Sequence, residues 1–255
     1  MPIPTSTIQQ YLDSLLRIRD VPDDANAVNG LQVENSGTVT SLIAAVDASQ
    51  ATIDQVAAGL SDRRPLLLVH HGLFWDGNIP VTGRRYRRLR ALLLHDIALY
   101  SAHIPLDMHP EYGNNVSLAR MLGVDIEGWY AVHRGIPIGI YGSLALGRDA
   151  LVAQLNASLG ANAVLIPGGP DFVSRIGIIT GGAGNMIAAA RDAGLDTFIT
   201  GEGAHHTYFD AMEWGINVIF AGHYATEKLG VQRLAAHLAE KFSLPWEFHD
   251  HDTGL

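Results

Sequence analysis

The chain has 255 residues, 47% of them hydrophobic, which is enough to build one large domain or two ordinary ones without disulfide or metal staples. Lys+Arg 17 against Asp+Glu 26 leave a net charge of −9, which argues against a general electrostatic grip on nucleic acid or an anionic membrane. With no cysteine, thiolate zinc sites, iron–sulfur clusters and cysteine nucleophiles are excluded, so a transition metal must be held by nitrogen and oxygen, and 12 histidines are available for it.

The first residues, MPIPTSTIQQYLDSLL, lack a basic stretch followed by an apolar core. No window approaches the ~18 uninterrupted apolar residues of a membrane span, so a soluble, cytoplasmic protein with no membrane association is expected. Thr5 or Ser6 is placed to cap a helix whose Ile8, Leu12, Leu15 and Leu16 fall on one face. Strand-like runs then alternate with helical patterns: SLIAAVD (41–47), a helix near 50–60, LLLV (66–69), a helix near 84–95, IALYSA (97–102) and a helix near 115–122. After a break around Gly128–Pro137 come a strand near 138–145, a helix at 149–159, and strands at 163–166 and 175–180. A helix at 184–193, the strand TFIT (197–200), a helix near 204–213, the strand NVIFA (217–221) and a long helix from about 223 to 240 complete the pattern. Nearly continuous apolar strands between helices indicate α/β layers with a buried sheet, and the resumption after the break suggests two lobes. No long linker separates them, so close packing or intertwining is expected.

The histidines fall at 70, 71, 95, 103, 109, 133, 205, 206, 223, 237, 249 and 251. His70 and His71 end the strand LLLV, His103 follows IALYSA by one residue, His205 and His206 come shortly after TFIT, and His223 follows NVIFA. Ligands of open α/β sheets gather at the carboxyl ends of strands, so these positions mark the expected site edge. Carboxylates accompany two groups. In HIPLD, His103 and Asp107 are four apart, and Pro105 predicts an extended or turning loop there rather than a helix. In GHYATE, His223 and Glu227 are four apart at a helix start, on one face.

Any one histidine at a strand end is more often a hydrogen-bonded structural residue; it is the convergence of three groups that points to metal. One ion with an open position would use three ligands, whereas these six, with a carboxylate able to bridge, suit two ions ~3.5–4 Å apart. His95, His109, His133 and His237 have no partner pattern, and His249 and His251 lie in a solvated tail, HDHDTGL.

At this level of detail the chain resembles a known family. VHHGLFW (69–75), SAHIPLDMHPEYGNN (101–115), TGEGAHH (200–206), AGHYATEKLGV (221–231) and the earlier NGLQVE (29–34) are similar, in order, to motifs of the Nif-three-like dinuclear metal proteins, also called GTP cyclohydrolase 1 type 2 homologues. Matched residue by residue, the family's metal ligands fall on His70, His71, His103, Asp107, His223 and Glu227, the six that spacing selects. The resemblance implies two similar, intertwined α/β domains with the metal site between them, residues 1–128 with 220–255 and residues 129–219, assembled into a toroidal homohexamer. No segment near 128–137 is long enough for the inserted domain that some members carry.

Two divalent ions held by four imidazoles and two carboxylates can be zinc, iron, manganese, cobalt or nickel. They would activate a bridging hydroxide for hydrolysis of a small-molecule substrate, a nucleotide being one candidate. Asp107 is assigned as the bridging ligand. Glu202 reads as a general base or water-orienting group and His205 as a charge-stabilising or proton-donating one; both read equally well as groups that only fix ligand orientation. A non-catalytic metal-binding or metal-delivery protein is the competing class. It would close every coordination position, where a hydrolase keeps one open.

Two further motifs are read plainly. IITGGAGNMIAAA (178–190) lacks a dinucleotide fingerprint and a P-loop lysine and is taken as an ordinary strand-to-helix connection. GRRYRRLR (83–90) places five arginines on a helix start, read as a solvated face able to meet a phosphate or a neighbouring subunit.

Overall fold

The computed structural model describes residues 1–254. In chain order the elements are β1 (Ile3–Pro4), α1 (Thr5–Leu15), β2 (Gly30–Val33), β3 (Thr38–Val39), β4 (Ser41–Asp47), α2 (Gln50–Ala58), β5 (Pro65–His71), α3 (Gly83–Leu94), β6 (Ala98–Ser101) and α4 (Ile104–Asp107). They continue with α5 (Asn114–Leu122), β7 (Asp125–His133), β8 (Ile136–Gly147), α6 (Arg148–Leu159), β9 (Val164–Pro167), β10 (Phe172–Ile178), a 3₁₀ turn at Gly184–Met186, and α7 (Ile187–Asp192). The last are β11 (Thr197–Thr200), α8 (Thr207–Trp214), β12 (Asn217–Phe220), α9 (His223–Phe242) and β13 (Trp246–Phe248). Among the described residues, no helix is long and apolar enough to cross a membrane.

The chain divides into two compact units, Met1–Leu106 with Gly230–His251, and Asp107–Leu229 with the residues beyond His251. The first is built on a five-stranded sheet in the order β13-β4-β5-β6-β2. β13, β4, β5 and β6 run parallel, and β2 closes the edge antiparallel to β6. Ser41–Val46 of β4 are all buried, which is why this strand reads as an unbroken apolar run rather than an alternating one. On one side Ile43, Leu67, Val69 and Leu99 pack with Ile53 and Val56 of α2 and Leu92 of α3. Ser49 caps α2 by accepting from the Thr52 amide at 3.0 Å.

The second unit has a six-stranded sheet ordered β7-β8-β10-β11-β12-β9. Its centre, β10-β11-β12, is parallel, and antiparallel strands flank it on both sides. Ile140, Ile176, Ile178, Ile199 and Ile219 share a core with Leu118 and Leu122 of α5 and Leu151 and Leu155 of α6. Mixed sheets with parallel centres thus underlie both units, and in each the parallel strands deliver their carboxyl ends to one edge.

The structure corrects three local expectations. Helix α1 starts at Thr5 itself, with Pro4 at the N-cap and no side-chain cap; the Thr5 hydroxyl instead donates to Asn35 Oδ1 at 2.7 Å. Pro105 does not prevent a helix: it is the second residue of α4, where a first-turn N–H has no intrahelical partner to lose. The break at Gly128–Pro137 is strand and tight hairpin. His133 pairs with Ile136 across the two-residue turn Arg134–Gly135, both of whose φ angles are positive (49° and 84°), the geometry that matches strand twist.

Candidate metal centre

The first unit gathers three histidines. His70 and His71 are the last residues of β5, and His103 directly precedes α4. The His70 ring is 4.7 Å from that of His71 and 5.0 Å from that of His103, centroid to centroid, and His71 and His103 are 5.6 Å apart. One ligand atom from each lies within 4.8 Å of the others, so the three can hold one metal ion.

Each of these rings is oriented through its Nδ1. His70 Nδ1 donates to the Ala102 carbonyl at 2.8 Å, which fixes the tautomer because a carbonyl can only accept. His71 Nδ1 meets Asp47 Oδ1 at 3.0 Å, a contact set up by the β4–β5 register that places Asp47 opposite His71. His103 Nδ1 meets Asp23 Oδ1 at 2.9 Å, and the His103 amide donates to Asn29 Oδ1 at 2.7 Å. Burial alone would raise the Asp23 carboxyl. The hydrogen bond and charge of His103, together with the Asn29 amide, outweigh it and hold Asp23 below the usual carboxylate range. With Nδ1–H donated in each case, Nε2 is the nitrogen that could serve as a ligand, the arrangement metal-binding histidines use.

The second unit carries Asp107, His223 and Glu227. Asp107 and Glu227 are buried. Asp107 Oδ1 accepts from Asn114 Nδ2 at 2.8 Å and lies 3.4 Å from the Thr180 hydroxyl. Asn115 fixes Thr180, accepting from its amide at 2.8 Å while donating to the Ile138 carbonyl at 2.8 Å. His223 and Glu227 lie one turn apart on α9, with Nε2 to Oε2 at 3.2 Å, and His223 Nδ1 meets Glu202 Oε1 at 2.7 Å. The Glu227 hydrogen bond foremost, then the charges of Glu227 and Glu202, push the His223 imidazole up to about 9 against the opposing effect of burial. The metal-free protein therefore keeps His223 protonated at neutral pH, and an ion at Nε2 must displace that proton.

Gly181 makes room for this carboxylate. A Cβ there would come within 2.2 Å of Glu227 Oε1, and its φ of +72° is one that side chains rarely adopt. Its amide donates to Thr226 Oγ1 at 3.1 Å, and its carbonyl accepts from the Gly201 amide at 2.8 Å and the Thr200 hydroxyl at 3.0 Å. The glycine-rich connection read from sequence as plain is thus the wall behind Glu227.

Of the two residues expected to have catalytic roles, Glu202 touches His223, one of the expected ligands. His205 is exposed and packs edge-on against Phe209, centroids 5.5 Å apart. The arginine run is not uniformly solvated: Arg85 is buried, donates to Asp76 Oδ1 and the Gly77 carbonyl at 2.6 Å each, and sits over the Phe74 ring. Sequence reasoning passed over Asp23, Asp47, Asn114, Asn115 and Thr180. Asn29, Asn114 and Asn115 do lie inside the quoted motifs, and their polar amides next to ligand positions were the available signal.

The chain is similar to known proteins over nearly its whole length. Residues 4–253 match the model of the family described as Duf34/NIF3 (NGG1p interacting factor 3). A Deinococcus radiodurans protein named GTP cyclohydrolase 1 type 2 homolog is 40% identical over 248 residues, 96% of this chain and 92% of its own. Among solved structures, a Thermus thermophilus protein is 40% identical with a TM-score of 0.89, covering 99% of this chain and 100% of that one. One described as protein ybgI, of unknown function, is 35% identical with a TM-score of 0.91 over the same shares.

Proposed function

The chain belongs to the Duf34/NIF3 family, and on that premise we propose that it is a metal-dependent hydrolase whose His70, His71, His103, Asp107, His223 and Glu227 hold a pair of divalent ions. The observation that carries this reading is the set of acceptors behind the histidines: Ala102, Asp47 and Asp23 each take an Nδ1–H and turn the opposite nitrogen into a ligand. Core histidines need one hydrogen bond each, not a common orientation. The donor set, imidazole and carboxylate without thiolate, suits zinc, iron, manganese, cobalt or nickel.

When bound, such ions lower the pKa of water towards neutrality and supply a nucleophile for attack on an electrophilic carbon or phosphorus. The protein's own part is positioning. Asn114 holds one oxygen of Asp107 and so orients the carboxylate that would take part in holding the ions. Glu202 accepts from His223 Nδ1, which favours a role in aligning that imidazole over one as general base. His205 is the proposed donor of the proton to the leaving group, and the active form is proposed to be a homohexamer.

Zinc or manganese reconstitution followed by metal analysis and turnover of GTP and a panel of phosphoesters tests the reading. We expect about two ions per chain in the native protein and metal-dependent turnover lost in Asp107→Asn. Fewer than about one ion per chain, unaltered by His71→Ala and Asp107→Asn together, would overturn the metal site. Full metal content with no turnover of any ester or nucleotide would overturn the hydrolase.

A further inference from the structure

The loop between β5 and α3, residues 72–82, follows the histidine pair and is held on both sides of its tryptophan, Trp75. Before it, the Leu73 amide donates to Gln32 Oε1 at 2.8 Å, and Gln32 Nε2 is itself fixed by the Ala27 and Val28 carbonyls at 3.0 and 2.9 Å. After it, Arg85 donates to Asp76 Oδ1 and the Gly77 carbonyl at 2.6 Å each and to the Ile79 carbonyl at 3.1 Å, while Arg84 donates to Asp76 Oδ2 at 3.0 Å. Across it, the Gly77 amide donates to the Phe74 carbonyl at 2.8 Å. The hydrogen bonds from Arg85 and then Arg84 draw the Asp76 carboxyl down to about 2, so the clamp is ionised at neutral pH.

Burying a guanidinium is costly even when it is paired, and Arg85 is buried. Core packing is not what this clamp serves, because the side chain at its centre, Trp75, stays 36% exposed. What Trp75 stands against is the histidine group. Its ring centroid is 4.8 Å from that of His103 and 5.8 Å from that of His71, at interplanar angles of 82° and 80°, the edge-to-face arrangement aromatic rings favour.

An Nδ1 hydrogen bond fixes one point of an imidazole, and the ring can still swing about that point. The direction of Nε2 therefore needs a second contact away from the Nδ1 bond. For His70, which is fully buried, the surrounding core supplies it. The His71 and His103 side chains are each 20% exposed, so close packing does not enclose them, and these are the two rings that the indole meets.

We propose that Trp75 is a positioning residue of the metal centre: held by the Arg85–Asp76 clamp, its indole sets the ring orientations of His71 and His103 and with them the directions of their Nε2 atoms. The purpose of this arrangement rests on the metal reading above, whereas the ordering of the two rings belongs to the protein's own side chains and exists without an ion.

Crystal structures of the metal-free full-length protein and its variants, set beside zinc affinity from chelator competition, test it. In Trp75→Leu the rings of His71 and His103 should take more than one orientation, with B-factors raised above that of His70, whose ring should stay as it is. Zinc affinity should fall about tenfold in the same variant. Trp75→Phe keeps a planar ring against the two imidazoles and should restore single orientations and an affinity within about twofold of native. Asp76→Asn weakens the clamp without touching a histidine and should move both readouts in the direction of Trp75→Leu. Unaltered His71 and His103 rings or unaltered zinc affinity in Trp75→Leu, equal disorder of His70, or a Trp75→Phe protein no better than Trp75→Leu would each overturn the positioning role. An Asp76→Asn protein indistinguishable from native would overturn the clamp. A native protein that takes up no zinc while its rings respond as expected would overturn the metal centre alone, so the two failures are distinguishable.

Discussion

Replacing Gly181 by alanine makes the sharpest demand on the structure. The new Cβ would sit 2.2 Å from Glu227 Oε1, where 3.4 Å marks the start of ordinary contact, so roughly 1 Å of movement is required. The backbone cannot supply it easily, because its amide and carbonyl are tied to Thr226, Gly201 and Thr200. A left-handed φ adds about 1–2 kcal/mol for a residue with a Cβ. Displacing a buried carboxylate from His223 adds a comparable cost, for a total of roughly 2–4 kcal/mol. At about 2–4 °C per kcal/mol for a chain of this size, thermal unfolding of the metal-free variant should fall by roughly 4–16 °C. Metal content measured after dialysis against excess ion should also drop, because Glu227 is moved off its partner. Gly182→Ala is the control: its φ is not left-handed and its Cβ would meet Glu202 Oε1 at an ordinary 3.4 Å, so it should change little. A Gly181→Ala protein with native melting temperature and full metal would refute the account of this wall.

Other outcomes follow from single contacts. Asp47→Asn and Asp23→Asn should each lower metal affinity about 10–100-fold in chelator competition with helix and strand content unchanged, and native affinity in both would remove their orienting role. In the metal-free protein the His223 pKa is raised to about 9 from 6.5, so its ion pairs stabilise fully below pH 6.5 and are lost as pH climbs through 9. Metal uptake has the opposite sign: affinity should rise by about a factor of ten per pH unit between pH 7 and 9, and calorimetry in buffers of different ionisation heat should detect the released proton, whereas a flat profile would be incompatible with a protonated His223. Ser49→Ala should cost about 0.5–2 kcal/mol in urea unfolding through loss of the α2 cap, and no loss would mean that the Thr52 amide finds another acceptor. The Tyr130 hydroxyl is buried with no partner among the described residues, so Tyr130→Phe should be neutral or stabilise by about 1 kcal/mol; destabilisation of that size would reveal a hidden hydrogen bond.

How much of this was legible in the residues depended on distance along the chain. SLIAAVD and TFIT coincide with β4 and β11 because strands buried on both faces leave continuous apolar runs. The short edge strand β2 (GLQV) and the three-residue β13 carry no such run, and only pairing with β6 and β4 makes them strands. Spacing of four exposed the His223–Glu227 pair, since a helix turn brings those positions together. Nothing local links Asp23 to His103, 80 residues on, or Asp47 to His71; the first depends on tertiary packing and the second on strand register. The Gly128–Pro137 region misled for a different reason. Its half-exposed strands alternate too weakly to register as apolar runs, while Arg134–Gly135 looked like a loop and is a two-residue hairpin turn.

The placement of β13 bears on how the molecule is made. Trp246–Phe248 supply the outer neighbour of β4, a buried strand synthesised far earlier, and every other strand of both sheets precedes them in the chain. Until they arrive, the backbone donors and acceptors along that side of β4 lack a strand to pair with, a ready template for joining another chain. A chain truncated just before Pro245 would carry this open edge while keeping the sequence of every other strand, which makes one three-residue segment a guard against aggregation.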